Sequence, residues 1–478
     1  MPVRSRLSLA LMLVLTATTA TTATTARADD AADIADLRER LRQLETRLGE
    51  RAPDPDARTA LGDLDQRLRI LERKLEIQQE DAVAKAPTTP VVAINDKGLS
   101  IRNQKGDFEL KLRGGLQFDH RAFFDDTPAV NDSFLFRRIR PSLEGALGAL
   151  VGFRITPELA EDSTSLIDAY IDVKFDPRAS LRVGKIKGPV GLERLASWNA
   201  LAMIERGFPT ELAPSRELGA QVFGELAKGE ISYAVGAFNG AADGRNANAN
   251  DVDNNTEFEG RVFFEPWKND ANALSGLGFG IAATVGEKDG SGNALLPRYR
   301  TPGQQVFFNY RAAVSAAGDH RRISPQAYYY RNALGLQAEY ITSEQELLLP
   351  NAANSRVDLK HEAWQFTGSY VLTGEDAGYK GIVKPNEPFE IGGPGWGAFE
   401  LALRCGELDV DDDAFPRYAD PATVASQARA LGFGLNWLLT SNLKLQFNLT
   451  QTQFDGGAAN GADRPDENAF FSRVQVAF

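Results

Sequence analysis

The sequence predicts an all-β fold: a transmembrane antiparallel β-barrel of about 16 strands, with an N-terminal α-helical coiled-coil segment before it. Three observations predict this. From about Phe108 to Phe478, apolar and polar residues alternate with period two, the pattern of strands whose two faces meet different surroundings. The chain opens with a secretory-type leader and closes on an aromatic residue, Phe478. Polar runs rich in Gly, Asn and Asp separate stretches of roughly ten residues, the length of a strand that crosses a bilayer at a tilt.

Average composition hides such a barrel. Hydrophobic residues are 43% of the 478-residue chain and the mean hydropathy is −0.30, because lipid-facing and lumen-facing positions cancel. A chain this long needs either several domains or one large closed sheet. In the leader, residues 1–28, Arg4 and Arg6 precede the apolar run Leu7–Leu15, and Ala26-Arg27-Ala28 is a small-residue cleavage site. That apolar run is too short to span a bilayer as a helix, and no later stretch is long enough either. Cys405 is the sole cysteine, which excludes a disulfide framework and a multi-cysteine metal site. The three histidines, His120, His320 and His361, are too scattered to point to a zinc site and read as solvated or lumen residues.

Residues 29–80 are helical by pattern and are expected in the periplasm. Ile34, Leu37, Leu41, Leu44 and Leu48 recur at spacings of three and four, and Leu61, Leu64, Leu68, Leu71 and Leu75 repeat the seam. Pro53 and Pro55 break it. Each helix alone is marginal in water, so self-association is expected; the alternative is a helical hairpin closing around the prolines. Residues 81–95, with Pro87 and Pro90, read as a linker.

Residues 96–478 read as the barrel. Leu110, Leu112 and Leu116 share one face while Glu109, Lys111, Arg113 and Gln117 share the other. Ile171 and Val173 oppose Asp168, Tyr170 and Asp172; Leu445 and Phe447 oppose Lys444, Gln446 and Asn448; Val476 opposes Gln475. A soluble sandwich also alternates, but the leader, the strand length and the terminal aromatic favour a barrel with its apolar face in outer-membrane lipid. Gly240–Asn255, Ser291–Gln305 and Asp455–Asn468 are turn-rich and polar, as extracellular loops should be, whereas the short turns at 176–179 and 440–442 would face the periplasm. Sixteen strands would take roughly 24 residues each with their connections, and eighteen fit nearly as well from length alone.

Moving solutes through a barrel needs no catalytic group and no cofactor; charge at the constriction sets selectivity. The stretch Gly184–Leu212, GKIKGPVGLERLASWNALAMIERGFPTEL, is too long for a hairpin turn and carries Lys185, Lys187, Arg194 and Arg206 among its own apolar residues. Such a loop reads as folded into the lumen, placing cations at a narrowing. In FLFRRIRPSLEG (Phe134–Gly145), parity puts Arg138, Arg140, Ser142 and Glu144 on the lumen side, with Arg137 on the opposite parity near the outer rim. Guanidinium forks suit oxyanions, although Asp168, Asp172 and Glu144 could equally neutralise them within the wall.

FLFRRIRPSLEG and the long loop, with RELGAQVFGE, ISYAVGAFNG, YVLTGE, KPNEPF, GAFELALR, LGFGLNW and VQVAF, resemble the phosphate-selective porin O and P family. The resemblance covers most of residues 29–478. It implies sixteen antiparallel strands, a homotrimer, and uptake of small anionic solutes across the outer membrane. Carried over by position, the Arg-Arg pair of the family's phosphate site matches Arg137 and Arg138, and third-loop positions match Arg194, Ser197, Glu205 and Arg206. An intervening aspartate matches Asp168. An arginine expected in the first strand falls on Gly115, with Arg113 two residues away on the same face; tyrosine positions hold His120 and Arg140. Arg298, Arg300, Arg311, Arg321, Arg322 and Arg331 are further candidates for a basic row along the wall. The alternatives are a general or carboxylate-type porin of weak selectivity, and a barrel that anchors a structural tether. No Ser/His spacing points to an enzyme, and nothing points to nucleic acid.

Overall fold

The structure is a computed structural model, and it describes residues 38–40, 42–43, 46, 55–85, 90–124, 131–160, 164–247, 253–350, 355–379 and 381–478. The chain divides into two compact units, residues 1–89 and 90–478.

In the first unit, α1 (Pro55–Lys85) carries the second leucine seam. Proline at a helix start loses no hydrogen bond, and Pro55 begins this helix. Leu68 is buried, whereas Ile70, Leu71 and Ile77 are exposed. Arg38 donates from Nε to Glu72 Oε1 at 3.0 Å, a contact of the kind a helical hairpin would make. The first leucine seam (Ile34, Leu37, Leu41, Leu44, Leu48) and the leader lie outside the described residues.

The segment expected to be a linker is largely ordered. Helix α1 continues to Lys85, since no breaker occurs before Pro87, and the β-branched run VVAIN forms β1 (Val91–Asn95). β1 pairs with β2 (Gly98–Arg102), and β2 pairs with one end of β3 (Phe108–Phe123), Leu99 opposite Leu112.

From β3 the chain runs as an antiparallel meander. The next strands are β4 (Ser133–Leu147), β5 (Val151–Glu158), β6 (Ser165–Asp176), β7 (Ala179–Lys187), β8 (Arg216–Leu226), β9 (Ile231–Phe238), β10 (Glu257–Phe264) and β11 (Leu277–Asp289). A small separate hairpin follows, β12 (Arg298–Arg300) with β13 (Val306–Asn309). Then come β14 (Ser315–Arg331), β15 (Leu334–Leu348), β16 (Arg356–Val371), β17 (Ala398–Asp409), β18 (Ala425–Leu438), β19 (Leu443–Gly456) and β20 (Glu467–Ala477). β20 returns to β3, Ala469 opposite Phe123 and Ala477 opposite Gly115. The sheet thereby closes with sixteen barrel strands, β3–β11 and β14–β20. Closure leaves these strands no free edge.

The alternation sorts as the sequence indicates. Leu110, Leu112, Ile171, Phe447 and Val476 are exposed on the outside, while Asp172, Lys444, Gln446 and Asn448 are buried inside. One barrel end carries the long loops. The other carries short turns such as 332–333 and 439–442, but also an unexpectedly long connection, 372–397. The polar loop expected at Ser291–Gln305 also differs. The chain there folds inward through β12 and β13, and Tyr299, Phe307, Phe308 and Tyr310 are buried with Val190, Phe208 and Leu212 of the 188–215 loop.

The barrel strands bury their own polar groups in one closed ladder, so they should not need the helical unit to fold. Deleting residues 33–80 should therefore leave a membrane-inserted, heat-modifiable barrel with less stable oligomers, read by gel mobility with and without boiling. Loss of insertion would count against this division of labour.

Candidate functional site

The site is built around the loop 188–215 between β7 and β8, which contains two single-turn helices, α2 (Leu192–Leu195) and α3 (Pro209–Leu212). A segment this long inside a lumen must satisfy its backbone and charges against the wall. Glu205 is its principal tie. Its carboxylate accepts Arg137 Nε at 2.7 Å and Nη2 at 3.2 Å, Arg121 Nη2 at 3.2 Å and Arg473 Nη2 at 3.1 Å. Burial alone would raise this carboxyl group, but Arg137, Arg138 and Arg473 outweigh burial and hold it well below the usual carboxylate range.

A second tie is Glu193, which accepts the Gly207 amide at 2.8 Å and Gln365 Nε2 at 3.2 Å, and pairs with Arg404. On the wall, Glu339 accepts the amides of Leu192 at 2.8 Å and Glu193 at 3.2 Å. Lys444 Nζ donates to Leu201 O at 2.8 Å and Arg473 Nη1 to Ile204 O at 2.7 Å. The loop is thus fastened to opposite parts of the barrel.

Arg137 corrects the parity argument. The ladder between β3 and β4 shifts register, pairing Gln117 with Arg138 and Phe118 with Phe136. Arg137 is the extra residue of this bulge, and bulges re-aim side chains. It consequently turns to Glu205 instead of sitting at an outer rim. Arg138 is also committed: Nη1 donates to Gln117 Oε1 at 2.5 Å and Nη2 lies 3.9 Å from Glu205.

On the short-turn side of the loop is a cavity of about 560 Å³. It brings together five of the eight candidate residues: Arg113, Arg140, Asp168, Ser197 and Arg206. Eight cationic side chains line it against two acidic ones, Asp96 and Asp168, with the terminal residue Phe478 on the same wall. Some of these cations have carboxylate partners. Arg140 pairs with Glu158 at 2.6 Å, Arg216 with Asp168 at 3.2 Å and Lys384 with Asp96 at 3.3 Å. Arg113 and Arg154 share Glu144, at 3.7 and 2.7 Å. Adding Glu144 and Glu158 to the count still leaves twice as many cations as carboxylate side chains. Among the described residues, Lys187 and Arg206 hydrogen-bond only neutral carbonyls, of Leu195 and Ala196 and of Glu193 and Ala196 respectively. Burial, then Arg194, Arg216 and Arg140, push the Arg206 guanidinium down to about 9, with Glu193 opposing. The cation is held under electrostatic stress that an anion beside it would relieve.

An adjoining cavity of about 1140 Å³ shares Arg154, Asp168, Lys187 and Ser197, but its charges are nearly balanced by Asp172, Asp176 and Glu225. Tyr379 lines it from the long connection 372–397, donating its hydroxyl to Leu192 O at 2.6 Å.

Arg194 is not in either cavity. It is buried behind the loop, bonded to Thr210 O, with Nη1 3.4 Å from Ser215 Oγ. None of Arg298, Arg300, Arg311, Arg321, Arg322 and Arg331 lines these cavities; Arg322 is fully buried on Asp243 and Glu257. Arg154, Arg216, Lys97 and Lys384 are site residues that sequence reasoning missed. Gly115, where the resemblance implied an arginine, has no room for one, because a Cβ there would overlap the Trp198 ring of the loop.

Comparison with known proteins follows the same lines. The model of a family described as phosphate-selective porin O and P matches residues 108–478. An uncharacterised protein of Caulobacter vibrioides is 26% identical over 417 residues, covering 82% of this chain and 78% of that one. Among solved structures, the outer membrane channel DcaP of Acinetobacter baumannii matches with TM-score 0.50 and 12% identity, over 79% of this chain and 99% of that one. An anion-selective porin from Comamonas acidovorans matches with TM-score 0.46 and 12% identity, over 77% and 99%.

Because Glu205 ties several wall arginines to the loop, Glu205→Gln should destabilise the protein by about 3–5 kcal/mol, the usual result of leaving buried charges uncompensated. The loop should also loosen. A lower unfolding midpoint together with noisier single-channel current would be the expected result.

Proposed function

We propose that this chain, which belongs to the phosphate-selective porin O and P family, is an outer-membrane channel whose lumen prefers small anions, phosphate-like oxyanions among them. The observation that carries this reading is the excess of cationic over acidic side chains around the cavity beneath the 188–215 loop. The overall charge of −12 points the other way, but charges beyond about 10 Å are largely screened at physiological salt. A passing ion responds to the local set.

The chemistry suits transit. Arg113 and Arg154 keep side chains about one-third exposed, so they can offer paired donors to an oxyanion while remaining hydrated enough to release it. Dedicated phosphate selectivity has less support. The Arg137–Arg138 pair is occupied by Glu205 and Gln117, and position 115 is closed by Trp198. The preference is accordingly for anions as a class. The balanced neighbouring cavity favours a modest preference over a strict one. Family membership supports a homotrimer with the apolar outer face in lipid, and the helical unit is read as its periplasmic extension.

Arg113 and Arg154 sit on the wall and do not hold the loop, so they can be changed without dismantling the constriction. A charge about 8 Å from a passing ion contributes about 0.5 kcal/mol at water's dielectric. Arg113→Gln with Arg154→Gln should therefore lower the anion-to-cation permeability ratio several-fold, measured from reversal potentials in a planar bilayer under a salt gradient. An unchanged ratio would leave only the weakly selective general pore.

A further inference from the structure

We propose that Glu217, Glu257 and Glu259 form a divalent-cation site, best suited to calcium, at the root of the constriction loop. One carboxylate oxygen from each lies within 4.8 Å of the others. Calcium–oxygen bonds of about 2.4 Å span about that separation across a shared ion. All three side chains are essentially fully buried. Among the described residues, neither oxygen of Glu259 nor Oε2 of Glu257 has a hydrogen-bond partner, and Glu217 has at most the Ala241 backbone amide beside it. Buried carboxylate oxygens without donors are costly unless a counter-charge meets them.

The neighbouring cations do not supply it. Arg322 donates to Asp243, Glu257, Thr284 Oγ1 and Ala241 O. Lys288 Nζ donates to Asn239 O at 2.9 Å. With Asp243 included, four carboxylates face Arg322 and Lys288, His320 Nε2 lying 3.4 Å from Asp243 Oδ1, and a divalent ion would offset the excess of carboxylates. The donor set is all oxygen, which selects a hard cation. An enclosed set of carboxylates, able to bind through one or both oxygens, favours calcium over magnesium, which retains more of its water. Gln221 Oε1, also without a partner among the described residues, lies in the same cross-strand row as Glu259 through Gly236.

The position gives the ion a task. Glu217 is the second residue of β8, directly after the loop, and Glu257 begins β10. Gly188, the first residue of the loop, passes so close to Glu259 that a Cβ there would overlap its carboxylate. An ion bound here fastens two strands beneath the point where the loop enters the lumen.

The test uses the full-length protein in detergent, stripped with a chelator and equilibrated with labelled calcium up to about 1 mM, the range of extracellular calcium modules. Wild type should bind one more calcium per chain than Glu217→Gln/Glu259→Gln, and calcium should raise the unfolding midpoint of wild type only. If the double variant does not fold, Glu259→Gln alone should weaken binding at least tenfold. Equal binding by wild type and variants would overturn the proposal. So would a wild-type midpoint indifferent to calcium beside a variant that is more stable, which would mean the carboxylates share protons instead.

Discussion

The constriction depends on one buried carboxylate. Glu205 gathers Arg121, Arg137 and Arg473 from β3, β4 and β20, with Arg138 alongside. These strands lie where the barrel closes on itself, so the same contact fixes the loop and braces the seam. A buried charge network is worth little against a hydrophobic substitute of equal volume, yet breaking one member is expensive because the rest remain buried and unpaired. Such a network holds one geometry. It also engages Arg137 with Glu205 and Arg138 with Gln117, the pair that resembles a phosphate site.

In the proposed reading, selectivity falls to cations that the loop leaves partly free. They come from five sources: the wall (Arg113, Arg140, Arg154), the ends of the strands flanking the loop (Lys187, Arg216), the loop itself (Arg206), the β1–β2 turn (Lys97) and the long connection (Lys384). Most have acidic partners, and the surplus is what an ion meets. An acidic protein can hold a basic cavity because screening separates the two over about a nanometre.

How much of this was legible depended on the distance between contacting residues. Alternation, the closed sheet and the inward loop were readable because lipid and lumen impose opposite chemistry on neighbouring residues. Five candidate residues meet in one cavity for the same reason. Arg137 was misplaced because a bulge is a property of two strands' register, which no single strand displays. Gly115 reads as a missing arginine until Trp198, far along the chain, is seen to occupy its space. Tyr299, Phe307 and Phe308 lie in and just beyond a run that reads as polar loop, and their burial depends on a partner more than eighty residues earlier. Length could not choose sixteen strands over eighteen, because connections range from residues 332–333 to residues 372–397.

The central claim is that anions, and not cations, reside in the cavity beneath the loop. Anomalous diffraction from crystals soaked separately in bromide and in rubidium tests it most directly. The account predicts bromide density among Arg140, Arg206 and Arg216 and no rubidium there. Rubidium density in that cavity, with bromide confined to the outer surface, would contradict it.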